Sequence, residues 1–434
     1  MKICAYVPGT HAKENYARES FNVRQYAGLA VVVDIVRRAG YEVDYAGIAT
    51  VHEYDVVLVS ITSDCDWWPF VAERSRWRKG GYKVIVGGPG VLNARPFLTW
   101  VDYFCLGRAE GVIDKLIRAL DGHSEDIGPS VIESTNFSIE KQYQIHQADA
   151  PYPHPIRLES GAQYREGNLG CNHKCLFCAY TWHRKHAGGT FEYGDLWSKN
   201  DHVELALLDL HSGKEVDYNK LRTTAIDGMS QRIRFSVNKR ITREMVREFL
   251  VALHTRSKPH QVKLYNILGY PDETEEDWWE LLEDIRLADQ LLPASAKQTS
   301  LLLHSTPFRA MPATPMACKP MTYRNYRGAI AKTLGRGLKG NIFYQGRALW
   351  AVEGMGTESL STVIQSAIVW RGTEDDSENI LRVARSKRFA NASSLIKQAT
   401  LERYFDVKGL FGAYTKETLP TRYLRTYAAV EKMW

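Results

Sequence analysis

Near the middle of the chain stands the segment Gly170-Cys171-Asn172-His173-Lys174-Cys175-Leu176-Phe177-Cys178-Ala179-Tyr180, which places three cysteines within eight residues. Their spacing is C-x3-C-x2-C. Three thiolates on one short loop suit three irons of a 4Fe–4S cluster and leave the fourth iron open to a small molecule. Two other interpretations stay open at this point: a zinc site completed by His173, or three ordinary cysteines.

The composition restricts the class of protein around this loop. The chain has 434 residues, of which 44% are hydrophobic and 24% charged, with a net charge of +6. These values exclude a disordered protein and leave room for two or three domains. The odd number of cysteines, seven, and their wide scatter argue against a disulfide framework. No apolar run approaches the roughly 20 residues of a membrane span, and we expect a cytoplasmic protein.

The first 122 residues alternate between strand-like and helix-like patterns. The pattern predicts strands at Lys2–Val7, Tyr41–Ala46, Tyr54–Ile61, Lys83–Val86 and Asp102–Leu106, and helices at Val23–Gly40, Trp67–Lys79 and Ala109–Leu120. Such alternation is typical of a parallel, doubly wound sheet, whose ligands bind beyond the carboxyl ends of the strands.

We divide the chain into four parts on these patterns. Residues 1–125 form a Rossmann-like α/β domain, and residues 126–158 have the proline-rich composition of a linker. Residues 159–320 contain the cysteine loop. Residues 321–434 form a basic, aromatic-rich and mostly helical region.

The cysteine loop resembles that of the radical S-adenosylmethionine superfamily, which carries an aromatic residue before its third cysteine, here Phe177. Four later segments are similar, in the same order, to further motifs of that superfamily. They are Thr224–Arg234, the run Asn238-Lys239-Arg240-Ile241-Thr242, Asn266–Thr274 and Pro307–Met316. The resemblance covers about residues 160–318 and implies a partial (β/α)6 TIM-like barrel.

The resemblance also implies the chemistry. Cys171, Cys175 and Cys178 would hold a 4Fe–4S cluster whose open iron binds S-adenosylmethionine. An electron from a reductase of the flavodoxin or ferredoxin type would cleave this molecule to methionine and a 5′-deoxyadenosyl radical, which abstracts hydrogen from a substrate. Six further residues are candidates for binding the cofactors: Phe177, Asp209, Asp227, Arg234, Ser236 and Ile267.

The first domain resembles the cobalamin-binding type of Rossmann domain that precedes the radical core in one branch of the superfamily. The resemblance rests on Gly87-Gly88-Pro89 and on Asp102–Glu110. The Asp-x-His-x-x-Gly motif that supplies an axial histidine is absent, and Trp67 and Trp68 are bulky enough to fill the space below a corrin. Cobalamin is therefore a candidate cofactor that the sequence does not favour.

The last region differs from the rest in charge. Residues 321–434 carry 18 Lys and Arg against 10 Asp and Glu, an excess of +8, interleaved with aromatic residues. This pattern favours a nucleic-acid partner, although a helical cap with aromatic core residues would look similar. We expect this region to cover the open mouth of the barrel.

Three functions follow from these patterns. The first is a radical enzyme acting on a nucleic-acid base or nucleotide, by a rearrangement or functionalisation of the DNA hypermodification type. The second is a cobalamin-dependent radical methyltransferase acting on a small molecule. The third is a non-enzymatic metal-binding protein that binds nucleic acid.

Overall fold

A computed structural model describes residues 1–9, 23–157, 163–164, 166, 174–183, 204–206, 223–254, 261–292, 300–321, 342–345, 349–353 and 366–385. These residues build two α/β units, each around a six-stranded sheet. No helix in this part of the chain is long and apolar enough to cross a membrane.

The first sheet has the strand order β2-β1-β3-β4-β5-β6. Its strands are β1 (Ile3–Tyr6), β2 (Val43–Tyr45), β3 (Val56–Ser60), β4 (Lys83–Gly87), β5 (Tyr103–Cys105) and β6 (Val131–Glu133). All pair in parallel except β6, which runs antiparallel to β5. The five strands predicted from apolar runs are thus confirmed, and β6 lies within residues 126–158, which we assigned to a linker.

Helices cover both faces of this sheet: α1 (Val23–Arg38), α2 (Trp67–Arg74) and α3 (Ile113–Leu120). Side chains of β3 alternate between two buried clusters, with Val57 and Val59 on one face and Val56 and Leu58 on the other. Burial on both faces explains why the strands are apolar throughout, as parallel sheets require. The unit is therefore Rossmann-like.

Short elements connect the two units. A two-stranded antiparallel ribbon joins β7 (Ile156–Arg157) to β8 (Gln163–Tyr164). The four-residue helix α4 (Ala179–Trp182) follows directly after Cys178. This helix places the cysteine loop between the two sheets.

The second sheet has the strand order β13-β14-β12-β11-β10-β9. Its strands are β9 (Glu204–Ala206), β10 (Thr223–Ala225), β11 (Gln261–Leu268), β12 (Ser300–Pro307), β13 (Ile342–Gln345) and β14 (Leu349–Glu353). Only the β13–β14 pair is antiparallel. This unit is a partial barrel whose carboxyl edge carries the segments that follow β10, β11 and β12.

Two helices pack against this second sheet: α6 (Arg243–His254) and α7 (Glu275–Leu291). The short helix α5 (Gln231–Ser236) instead contributes Ile233 to the core that also holds Leu176 and Trp182. Helix α7 begins with a capping box in which Thr274 and Asp277 satisfy each other's backbone N–H groups.

The region after residue 320 differs from our expectation. Strand β14 pairs in parallel with β12, so the barrel sheet continues beyond the boundary that we placed at residue 320. A neighbouring strand satisfies backbone groups of β12 that would otherwise form an open edge. The described part of this region thus supplies two strands as well as helix α8 (Ser377–Arg385).

Helix α8 lies against the first unit. Asn93 donates from Nδ2 to the carbonyl oxygens of Val369 and Gly372, both at 3.0 Å. Arg95 forms a two-bond ion pair with Glu374. Ile380, Val383 and Ala384 are buried in the same core as α2. The described part of the last region therefore packs on the Rossmann-like unit, whereas we expected it to cover the barrel.

Candidate functional site

The cysteine loop is held by hydrogen bonds on several sides. The Cys178 N–H donates to the carbonyl oxygen of Cys175 at 3.1 Å, which closes a turn. The Leu176 N–H donates to Val237 O at 3.0 Å, and Trp182 Nε1 donates to Cys175 O at 2.9 Å. Because Trp182 is fully buried, these contacts fix the loop on a rigid base.

Two of the three predicted cluster ligands lie on this loop. Cys175 is buried and Cys178 is half-buried, and neither forms a disulfide bond with another described cysteine. Cys171 and His173 lie outside the described residues, within which no group of three candidate metal ligands is present. Thiols close together on one turn are the donors that an iron–sulfur cluster requires, so the described residues fit such a group.

An ion pair lies beside the loop, between segments that follow β10 and α5. Lys239 Nζ is 2.6 Å from Asp227 Oδ2, and the Lys239 side chain is 8% exposed. Burial lowers the pKa of Lys239, but the Asp227 carboxylate and the nearby Cys175 thiol outweigh burial and hold this pKa above its ordinary value. Lys239 is therefore a buried cation next to the cysteines.

The backbone around this ion pair adopts unusual conformations. Asp227 and Asn238 have φ angles of +55° and +59°, a left-handed region that Asp and Asn tolerate better than most residues. Asn238 Nδ2 donates to Lys174 O at 3.0 Å, and Lys174 itself has φ of +52°. Hydrogen bonds thus hold the segment Val237–Lys239 against the cysteine loop.

Aromatic residues form an apolar shelf at the same edge. Tyr270, directly after β11, donates its hydroxyl to Asp227 O at 2.9 Å. Its ring centroid lies 6.0 Å from that of Phe177 and 5.1 Å from that of Phe308. Ile267 packs against the large core cluster that also contains Tyr270 and Phe308. The structure therefore brings Phe177 and Asp227 together through Tyr270, beside the cysteine loop.

Two predicted site residues have other contacts. Arg234 is fully buried and donates to the carbonyl oxygens of Gly228, Met229 and Ile241 at 2.8 to 3.2 Å. Burial lowers the pKa of Arg234 to about 10. Ser236 Oγ donates to Ile233 O, one turn earlier in α5. The structure does not bring these groups to the loop, and Asp209 lies outside the described residues.

The structure also shows residues that sequence reasoning did not assign to the site. Lys239 and Tyr270 both lie inside segments that resemble superfamily motifs, and that resemblance was the sequence signal for them. The contacts that they make could not be predicted from the sequence. Tyr265 and His304 are paired in register on β11 and β12, with ring centroids 5.0 Å apart. Their neighbours Leu264 and Leu303 are buried with the helices, so this pair faces the opposite, concave side of the sheet.

A cavity of about 470 Å³ lies between the carboxyl edge of the first sheet and helix α4. Apolar side chains such as Leu29, Val59 and Ile85 line one side, and Cys178 and His183 line the other. Gly88, at φ of +109°, forms part of the wall, where a Cβ atom would lie 2.5 Å from Ile61 O. The cavity therefore joins the predicted ligand edge of the Rossmann-like unit to the cysteine loop.

Charged groups lie at one end of this cavity. Arg108 pairs with Glu110 and with Glu166, the latter at 2.5 Å. The tryptophans that we expected in this space lie elsewhere, because Trp67 and Trp68 are buried in the core. Trp67 stacks on Phe97 and donates to Gly90 O at 2.8 Å. Neither tryptophan occupies the cavity.

No protein-family model matches this chain, and no curated protein matches it. Similar solved chains include forms of a cobalamin-dependent S-adenosylmethionine radical enzyme, OxsB. The ligand-free form is 11% identical with a TM-score of 0.27. The form with aqua-cobalamin and S-adenosylmethionine is 12% identical with a TM-score of 0.24. Each match covers 100% of this chain and 61% of the other. Likeness at these scores carries no argument about the function of this chain.

Proposed function

We propose that this chain is a radical S-adenosylmethionine enzyme. The observation that carries the proposal is the position of Cys175 and Cys178. Both lie on one short turn at the carboxyl edge of a partial barrel, beside Asp227, Lys239 and Tyr270. Parallel α/β sheets bind their ligands at this edge.

Cys171, Cys175 and Cys178 would hold a 4Fe–4S cluster. When bound and reduced, this cluster supplies the electron that cleaves S-adenosylmethionine to methionine and a 5′-deoxyadenosyl radical. The residues of the chain would bind S-adenosylmethionine and orient it. Phe177 and Ile267, which are partly exposed, would flank a planar adenine ring while the buried Tyr270 supports Phe177, and the Asp227 carboxylate suits a ribose hydroxyl. Burial of this edge keeps water from the reacting groups.

Metal analysis of the anaerobically reconstituted protein tests this proposal. We expect about four irons and four sulfides per chain, with cluster absorbance in the visible range. C171A, C175A and C178A should each abolish this incorporation, because each removes one thiolate. The matched controls C65A and C318A, at exposed cysteines outside the loop, should retain it. Stoichiometric zinc without charge-transfer absorbance would instead support a zinc-binding, non-enzymatic protein.

We further propose that the substrate is a nucleic-acid base or nucleotide. The excess of +8 over residues 321–434 supports this, as do Tyr265 and His304, which offer a ring surface and hydrogen-bonding groups on the concave face. Arg382 and Arg385 are exposed on α8.

Binding to single-stranded DNA should fall by orders of magnitude between low and moderate salt. The double variant R382E/R385E should weaken binding, whereas R118E on α3 should not. Undetectable binding would leave a small-molecule substrate.

The cavity supports a second candidate function, a cobalamin-dependent methyltransferase. It is largely apolar, opens at the ligand edge of a Rossmann-like sheet and reaches Cys178. The sequence lacks the motif for an axial histidine, and we expect activity without added cobalamin. The optical spectrum after reconstitution with hydroxocobalamin distinguishes the two functions. Activity that appears only with bound cobalamin would favour the methyltransferase.

A further inference from the structure

Lys239 and Asp227 form a buried ion pair whose position next to the cysteine loop calls for an explanation. A buried ion pair is weak evidence for stability, because the desolvation of two charges offsets their attraction. Here the Lys239 Nζ to Asp227 Oδ2 distance is 2.6 Å, and the two side chains are 8% and 16% exposed. A pair retained at such a cost is a candidate for a functional role.

The backbone fixes this pair against the loop. Two hydrogen bonds connect the segment Val237–Lys239 to it: the Leu176 N–H donates to Val237 O, and Asn238 Nδ2 donates to Lys174 O, both at 3.0 Å. Asn238 is held at φ of +59°, which turns the chain so that residues 238 and 239 reach the loop and Asp227 respectively. Lys239 cannot move away from the cysteines without breaking these contacts.

Charge is the property that the pair brings to the loop. A bound cluster would gather the thiolates of Cys175, Cys178 and Cys171 in a small volume, and its reduction would add one further negative charge. The reduction potential of an iron–sulfur cluster depends on nearby charge, hydrogen bonds and exposure to solvent. A fixed cation stabilises the reduced state, and a fixed anion destabilises it.

We infer that Lys239 and Asp227 are positioning residues that set the reduction potential of the cluster in opposite directions, with Lys239 raising the potential and Asp227 lowering it. This inference rests on the proposed function. In the apoprotein, each charge of the pair neutralises the other. The ion pair also holds the Lys239 ammonium in place beside the cysteine loop.

The test is a redox titration of the reconstituted protein, followed by electron paramagnetic resonance and carried out without S-adenosylmethionine. K239M should lower the potential, because it removes the cation and leaves the Asp227 charge. D227N should raise it, and Asn suits the left-handed backbone at this position. We expect each reduction equilibrium to shift at least tenfold, which is about 59 mV for a one-electron couple. K239R and the double variant K239M/D227N should lie near the wild type.

A matched control separates this effect from the general loss of an ion pair. Lys83 and Asp102 form a pair in the first sheet at 3.5 Å, and K83M should leave the potential unchanged. Iron content is measured for every variant, so that a shift is read only from protein that holds its cluster. If K239M loses its cluster, D227N still tests the inference: a raised potential supports it, and an unchanged or lowered potential overturns it.

Opposite shifts in the two single variants support the inference, because damage to a merely structural contact would not change sign between them. Shifts in the same direction, or no shift in either variant, overturn it while leaving the proposed function intact. A wild-type protein that assembles no 4Fe–4S cluster overturns the proposed function instead, and the inference with it.

Discussion

Glu273 carries a carboxyl group whose surroundings disfavour its charge. One oxygen accepts a hydrogen bond from the Gly269 N–H, and the other is buried. Burial raises the pKa of Glu273 to about 8 from its ordinary value of 4.5, against the lowering effect of hydrogen bonds from Gly269, Trp278 and Tyr270. The residue lies in the turn that positions Tyr270, so its protonation bears on the shelf of the site.

The sign of the resulting pH dependence follows from linkage. The folded state holds this proton up to about pH 8 and the unfolded state releases it near pH 4.5, so stability falls as pH rises between these values. E273Q keeps an oxygen that accepts from Gly269 and cannot ionise. We expect its melting temperature to exceed that of the wild type by several degrees above pH 8 and to match it below pH 5.

Thermal denaturation at these two pH values measures the difference, and E276Q serves as a control because Glu276 is exposed in the first turn of α7. A wild-type protein and an E273Q variant with the same pH dependence would show that this carboxyl is not perturbed.

At the scale of single residues, the sequence predicts which residues could carry the chemistry better than it predicts the contacts that those residues make. The cysteine spacing predicts Cys175 and Cys178 as cluster ligands. The resemblance of the loop predicts an aromatic residue before the third cysteine, which is Phe177. Arg234 shows the limit: a polar residue near a strand end is a reasonable ligand, yet three backbone carbonyls accept its hydrogen bonds. The role of Lys239 depends on the left-handed backbone at Asn238, which no local pattern encodes.

At the scale of elements, hydrophobic periodicity predicts those strands and helices whose pattern follows from burial of their own side chains. Strands β1 to β5 are apolar because both faces of the first sheet are covered, and helix α7 begins at the capping box of Thr274 and Asp277. Helix α2 ends at Arg74 instead of Lys79. Trp77 turns into the core there, with its ring centroid 4.8 Å from that of Tyr6. A long-range aromatic contact decides this boundary.

Strands β6, β13 and β14 were not predicted, because each depends on a partner strand. Strand β6 lies in a polar, proline-rich segment and is fixed by its antiparallel pairing with β5. Strand β14 completes the second sheet beside β12. Edge strands of this kind take their stability from pairing with a preformed sheet more than from their own sequence.

At the scale of the whole molecule, one buried carboxylate joins three distant regions. Asp64, in the loop after β3, pairs with Arg309 at 3.0 Å and accepts a hydrogen bond from the Ser366 hydroxyl. These partners lie 245 and 302 residues away in the chain. Such a junction cannot be read from sequence, and it holds the Rossmann-like unit, the end of β12 and the last region together around the candidate site.

Product analysis decides whether this chain cleaves S-adenosylmethionine reductively. The anaerobically reconstituted protein is incubated with dithionite and S-adenosylmethionine, without any other substrate. We expect 5′-deoxyadenosine and methionine in equal amounts from the wild type and the control C65A, and none from C175A or C178A. Wild-type protein that carries a complete 4Fe–4S cluster and forms no 5′-deoxyadenosine would contradict the proposed function.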